Sequence, residues 1–374
     1  MLDQLKPFYA AAADPAGTAR KEESRPVIGY LCSYAPEEII HAAGCHPVRL
    51  FSSKSEIRLA ENHLQAYCCS LVRGILEDGL AGRLDYLDGT VFPHTCDSIQ
   101  RLSDIWRMNM GQAFFADVVM PAKLTTGSAK AYMKTVLEKF KTELGDHLGR
   151  SITDDDLAAS IALFNRIRSS LDRIYRLKAD QPDILSGKDL FTVIKAAMVM
   201  DRGDLDRCLG ELISALAASP PSDITPKRLI LSGSVCDMPD LYTLIEGAGG
   251  AVVGDDLCSG QRWFEGSIPE DVAPMDGLTV RYTDRVVCPA KHSGNTARAE
   301  ALISLVRERQ ADGVVFTLLK FCDPHAFDYP YLKDALDREN IPALHLEMDD
   351  QQINTGQTAT RLETFIQMIN PDIS

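Results

Sequence analysis

Val314-Val315-Phe316-Thr317-Leu318-Leu319-Lys320-Phe321-Cys322-Asp323-Pro324-His325-Ala326-Phe327-Asp328-Tyr329 decides the reading of this chain. The apolar run 314–319 reads as a buried strand, and the thiol of Cys322 follows at its C-terminal lip, on the loop that opens the next helix. The pattern recurs. Asp88-Gly89-Thr90-Val91-Phe92 leads into Cys96-Asp97, Leu229-Ile230-Leu231 into Cys236-Asp237, Ile28-Gly29-Tyr30-Leu31 into Cys32, and Ala251-Val252-Val253 into Cys258. In open α/β sheets ligands sit outside the carboxyl ends of the strands. Five strand-end cysteines therefore point to a soft-ligand metal site, with iron–sulfur the leading choice.

Working outward, strands are expected at 25–31, 47–51, within 84–92 and at 113–120, with helices between them. One of these helices is expected over most of 56–80. The pattern from 128 to 217 is helical, with a capped start at Thr153-Asp154-Asp155-Asp156 and a break at Gln181-Pro182-Asp183. Ala218-Ser219-Pro220-Pro221-Ser222 reads as a linker. Strands resume at 228–232, 250–254, 279–282, 313–318 and 342–346. The fold class is α/β: two Rossmann-like parallel-sheet domains with a helical segment between them. The expected boundaries are 1–24 for an N-terminal helix and linker, 25–127 for the first α/β domain, 128–221 for the helical segment, and 222–374 for the second α/β domain. Two domains also suit 374 residues.

A net charge of −14 argues against nucleic acid and anionic membrane as general partners. No run approaches the roughly 18 apolar residues of a spanning helix, and the N-terminus lacks the apolar core of a signal peptide. A cytoplasmic location is expected. In that reducing compartment the ten cysteines read as ligands, reactive thiols or small core residues and not as disulfides.

Cys69, Cys96 and Cys322 form one candidate set of metal ligands, and Cys236, Cys258 and Cys288 a second. Against each stands a small buried residue near a loop, which fits Cys208 and Cys45 best. Zinc is the rival metal, but no C-x2-C spacing occurs. Phosphate-binding, dinucleotide-binding and nucleophile-elbow motifs are all missing, so nucleotide hydrolysis would fall to a partner. Ser33 could bind a carbonyl or border the cluster; capping the helix near Pro36 is an equal alternative. Glu37 and Glu38 read as first-turn acids of that helix. His41, His46 and His94 are possible proton donors, and His94, two residues before Cys96, is the best placed.

The segments GYLCSYAPEEIIHAAGCHPVRLF (29–51), CSLVRGILEDGLAGRLDYLDGTVFPHTCDSIQRL (69–102), LLKFCDPHAFDYPYLKDAL (318–336) and LHLEMDDQQINTGQTATRLETFIQM (344–368) resemble the 2-hydroxyacyl-CoA dehydratase / benzoyl-CoA reductase family, double-cubane cluster proteins included. The resemblance implies two Rossmann-like domains with an iron–sulfur cluster between them and pairing as a homodimer or heterodimer. It also implies an acyl-CoA substrate and a separate ATP-hydrolysing iron–sulfur activator that delivers low-potential electrons. Cys69, Cys96 and Cys322 match the family's three cluster cysteines. Cys236, Cys258 and Cys288 are not typical of the simple dehydratase subunit, and the double-cubane proteins of the family carry additional cysteines in this C-terminal region, so the resemblance implies either one 4Fe-4S cube or an 8Fe-9S double cubane. By resemblance the chain is a catalytic reductase or dehydratase component, or else a non-catalytic subunit of a heterodimer. The acidic tail (Glu347, Asp349, Asp350) has two readings, contact with the activator or plain solvation, and solvation is the favoured one.

Overall fold

In a computed structural model that describes residues 3–20, 25–220, 224–285, 288–294, 296–348 and 355–369, eight strands form two parallel sheets. The first holds β1 (Val27–Tyr30), β2 (His46–Arg49), β3 (Gly89–Pro93) and β4 (Phe114–Val118), in the order β2-β1-β3-β4. The second holds β5 (Lys227–Gly233), β6 (Gly250–Asp256), β7 (Gly313–Leu319) and β8 (Ala343–Met348), in the order β6-β5-β7-β8. The two orders are the same. In each, the first strand pairs on one side with the second and on the other with the third, which creates a crevice at its C-terminal end. Strands β1, β3 and β7 are buried throughout, as near-continuous apolar runs covered on both faces should be.

In chain order the helices are α1 (Lys6–Ala13), α2 (Pro15–Ala19), α3 (Glu37–Ala42), α4 (Ser70–Leu80), α5 (Asp97–Asn109), α6 (Gly127–Leu148), α7 (Asp154–Asp180), α8 (Gly187–Ala197), α9 (Arg202–Ala217), α10 (Pro239–Gly247), α11 (Gln261–Phe264), α12 (Pro274–Asp284), α13 (Ala297–Glu308), α14 (Asp323–Arg338) and α15 (Thr355–Met368). Helix α7 starts where its caps dictate: Thr153 accepts from the Asp156 N–H and Asp156 returns the bond to Thr153. Its buried Leu157, Ile161, Phe164, Leu171 and Ile174 recur at helical spacing, and each is worth about 1.5–3 kcal/mol on burial. None of the described helices is long and apolar enough to cross a membrane.

Two expectations fail. Residues 279–282 are not a strand; they lie inside α12, which packs on α6 and α7. Pro274 at the first turn favours the helix, and Met275, Leu278 and Tyr282 join the core beneath the first sheet. Nor is 56–80 largely helical: apart from one short turn at Ala60–Asn62, helix begins only at Ser70. The cause is the buried Glu77 carboxylate, which accepts from the backbone N–H groups of Arg58, Leu59 and Ala60 at 3.0, 2.7 and 2.9 Å. Those bonds hold the preceding backbone in a loop. Of the acidic tail, Asp349 and Asp350 lie outside the described residues, as do Pro221 and Ser222 of the linker.

Candidate metal centre

The thiols gather where the topology predicts a crevice. Cys32 follows β1 and Cys96 follows β3, the two strands flanking the crevice of the first sheet. Cys236 follows β5 and Cys322 follows β7, the equivalent pair in the second, and Cys258 follows the neighbouring β6. Cys69, Cys96 and Cys322 are the N-cap residues of α4, α5 and α14. Backbone reversals shape two of these lips. Cys32 itself and Phe321, just before Cys322, are left-handed at φ 57° and 62°, a conformation that disfavours a non-glycine residue by roughly 1–2 kcal/mol. At the second crevice β5 and β7 come very close: a Cβ on Gly233 would stand 2.1 Å from the Thr317 carbonyl oxygen.

Electrostatics tie the thiols together across the two sheets. Burial pushes the Cys96 thiol up to about 12, with Cys69 and Cys32 adding to the rise. Burial likewise raises Cys322, with Cys69, Cys258 and Cys96 contributing. Cys258 and Cys288 share a hydrogen bond that favours a thiolate on Cys258 and drives the Cys288 thiol up; Arg262 and Arg49 also favour the Cys258 thiolate. Cys236 is raised to about 12, chiefly by burial. The groups that act on it besides burial are the Met238 backbone, Asp237, Asp255 and Lys54 and not the other thiols, and its tie to Cys258 runs through the loops. Its N–H donates to Ser259 Oγ at 3.1 Å, and the Cys258 N–H donates to the Ser234 carbonyl at 3.0 Å. Cys96 and Cys322 are part-exposed, whereas Cys69, Cys236, Cys258 and Cys288 are buried.

Buried cations face this group. Lys291 donates to the carbonyls of His94 (3.2 Å) and Met120 (3.5 Å), beside Cys32, Cys288 and Cys96. Arg285 stacks 4.1 Å over Tyr34 and donates to the Ser33 carbonyl at 2.8 Å. Arg49 is buried, and its Nε and Nη1 have no hydrogen-bond partner among the described residues. Such positive charge is suited to thiolates and to the net negative charge of a thiolate-bound cluster. Among the described residues no three His, Cys, Asp or Glu side chains are arranged to hold a single metal ion. The spread of thiols from two sheets suits a body wider than one ion, and the donor set is the one iron–sulfur clusters use. The residues fit that group. A cavity of about 480 Å³ opens beside Cys96, lined in part by Lys291, Asp323, Phe327 and Tyr331.

A model of the family described as "2-hydroxyglutaryl-CoA dehydratase, D-component" matches residues 32–369. The chain belongs to this family. Among its relatives in the family is the (R)-phenyllactyl-CoA dehydratase beta subunit of Clostridium sporogenes, 28% identical over 345 residues, with 92% of each chain covered. Another is the (R)-2-hydroxyglutaryl-CoA dehydratase beta subunit of Acidaminococcus fermentans, 28% identical over 375 residues and 98% of each chain. One of the benzoyl-CoA reductase subunits of Thauera aromatica is 28% identical over 342 residues, covering 90% of this chain and 88% of its own.

In this 2-hydroxyglutaryl-CoA dehydratase family member, the other residues singled out from sequence fall in different places. Ser33 is buried at the first lip but does not cap α3, whose N-cap is Pro36. The His94 ring turns to β4, with Nε2 2.9 Å from Asp117 Oδ1; toward the thiols His94 offers its carbonyl, through Lys291. His41 meets Ser160 and His46 the Val199 carbonyl, both away from the thiols. Glu37 and Glu38 are first-turn acids, but buried ones: Glu37 pairs with Arg202 at 2.8 Å, and Glu38 with Arg168 and Tyr282. Cys45 precedes β2 and so lies at the opposite end of the sheet. Sequence reasoning missed Arg262, Arg285, Lys291 and His325. Two of these carried a signal: Lys291 and His325 each stand three residues after a candidate cysteine, within one turn of it.

Proposed function

We propose that this chain is the iron–sulfur component of an ATP-coupled enzyme that reduces or dehydrates an acyl-CoA. Its cluster would sit in the cleft between the sheets, with Cys69, Cys96 and Cys322 holding one cube and Cys236, Cys258 and Cys288 the second half of a double cubane. The observation that carries the reading is the meeting of thiols from the crevices of both sheets, faced by buried Arg49, Arg262, Arg285 and Lys291. Bound there, the cluster would store and deliver single electrons at low potential. The protein's part is to exclude water, to balance charge and to leave one approach. The cavity at Cys96 is that approach, and the buried cations keep the thiolates from repelling one another. Ser33, at the lip beside Cys32, is proposed to meet the substrate carbonyl, and His94 to hold Lys291 in place through its carbonyl.

Electrons would arrive from a separate ATP-hydrolysing iron–sulfur activator. Phe327 and Tyr331, 78% and 67% exposed beside the same cavity, support a partner surface there, since exposed aromatic residues in one patch mark interaction sites. The relatives are themselves named as single subunits of larger enzymes, which favours a second reading: the chain completes a heterodimer with a homologous subunit that carries the substrate. Anaerobic turnover of a 2-hydroxyacyl-CoA or an aromatic acyl-CoA tests both. Turnover by the chain with activator and ATP alone supports a catalytic homodimer. Turnover only after addition of the homologous subunit supports the second reading. A chain that accepts no electron from any such activator contradicts both.

A further inference from the structure

Cys322 caps α14, and His325 stands at the third residue of that helix, 5% exposed. Its Nδ1 lies 3.3 Å from Cys322 Sγ. On the other side of the ring, Nε2 lies 3.3 and 3.2 Å from Nη1 and Nη2 of Arg262. A guanidinium has donors and no acceptor. Nε2 must therefore accept, which leaves the ring proton on Nδ1, and Nδ1–H points at the cysteine sulfur. The Gly233 carbonyl also neighbours the ring, but it accepts from Arg262 Nη2, which leaves the guanidinium to set the tautomer.

Arg262 is itself immobilised. It pairs through Nε with Asp256 Oδ1 at 3.1 Å and donates to the carbonyls of Gly233 and Asp256. Asp256 is held by Arg298 at 2.9 Å and by Ser232 Oγ at 3.0 Å, and Arg298 reaches Asp328 at 2.7 Å. Asp328 is three residues beyond His325 on α14, so the network closes on the helix it started from. The ring plane of His325 is thus fixed from both ends, and the charge behind it polarises the N–H toward sulfur.

We propose that His325 is a positioning residue that donates an N–H···S hydrogen bond to Cys322 and thereby sets the reduction potential of the cluster this cysteine binds. The inference rests on the reading of Cys322 as a cluster ligand. A donor on a ligating sulfur stabilises the more negative, reduced state, so it raises the potential. In His325→Asn the side-chain amide can still donate near the Nδ1 position; in His325→Phe the ring remains and the donor is gone.

The test uses full-length protein purified without oxygen, with iron assay, EPR-monitored redox titration, and ENDOR of the reduced wild type in D2O. With iron retained, His325→Phe should disfavour reduction about tenfold, or about 59 mV for one electron. His325→Asn should recover most of that shift. Wild-type ENDOR should lose a coupled proton signal on exchange. Full iron in both variants with an unmoved potential overturns the inference and leaves the cluster reading standing. If His325→Phe loses its iron, wild-type ENDOR with 15N in the histidine rings decides, since the His325 backbone N–H also reaches the sulfur: an exchangeable proton together with coupling to a ring 15N supports the bond and its absence overturns it. A wild type without iron overturns the cluster reading and this inference with it.

Discussion

The two sheets share one strand order and differ in what surrounds their C-terminal ends. Around the second sheet the cations are close in sequence to its own strands: Arg262 follows β6, and Arg298 precedes β7, with Asp256 between them at the end of β6. Around the first sheet Arg49 is local, at the end of β2, and two others are imported. Arg285 and Lys291 come from the segment after α12, a helix of the second half of the chain that packs on α6 and α7 beneath the first sheet. Cys288 travels with them. Repeating a scaffold thus places strand ends in pairs, while part of the charge at the first sheet's ends comes from a connection that crosses between halves. The sheet supplies position and the crossing segment supplies chemistry.

Breaking that division should have graded consequences. The largest is expected at the thiols. Cys322→Ala or Cys96→Ala should remove half or more of the bound iron, whereas Cys45→Ala, at the far end of the first sheet, should leave it unchanged; iron assay on anaerobic protein decides. Next comes the charge network of the second sheet. Arg262→Leu leaves Asp256 with Arg298 and Ser232 but without its second cation, and the Gly233 carbonyl without its Arg262 donor, so urea unfolding should report a loss of about 3–5 kcal/mol.

Glu38 tests the first half. Burial works against its charge, but Arg168 and Arg281 outweigh it and hold the carboxyl below its ordinary range. Its contribution is therefore complete above that ordinary range and lost as pH falls through the folded value. Glu38→Gln should cost about 3 kcal/mol near neutrality, because two buried guanidiniums lose their counter-charge, and the gap from wild type should close in acid. Stability measured against pH checks the sign. The smallest effect is local. Thr153→Ala, which removes the cap of α7 far from either crevice, should lower stability by about 1 kcal/mol and leave iron untouched.

How much of this was legible follows from where the forces act. Apolar runs ending in cysteine announced β1, β3, β5, β6 and β7 and the thiols at their lips, because strand burial and strand ends are written in consecutive residues. The helix over 279–282 was not legible. Leu278-Thr279-Val280 has strand character alone, and only packing of Met275, Leu278 and Tyr282 against the helical layer decides for helix. The loop before α4 was hidden for a similar reason, since Glu77 pins backbone eighteen residues upstream. Arg49, Arg262 and Arg285 look like any surface arginine in sequence; their burial against thiols is a property of the assembled halves. The His94 ring, expected at the thiols, is drawn off by Asp117 on the adjacent strand, a partner 23 residues away.

On the proposed function, six cysteines from both halves bind one cluster. Iron and acid-labile sulfide per chain, on protein purified without oxygen, test it most directly. About eight irons are expected, two four-iron units, falling to about half in Cys258→Ala. About four irons, unchanged in Cys258→Ala, would contradict the role of Cys236, Cys258 and Cys288, and a folded chain with none would contradict the metal centre altogether.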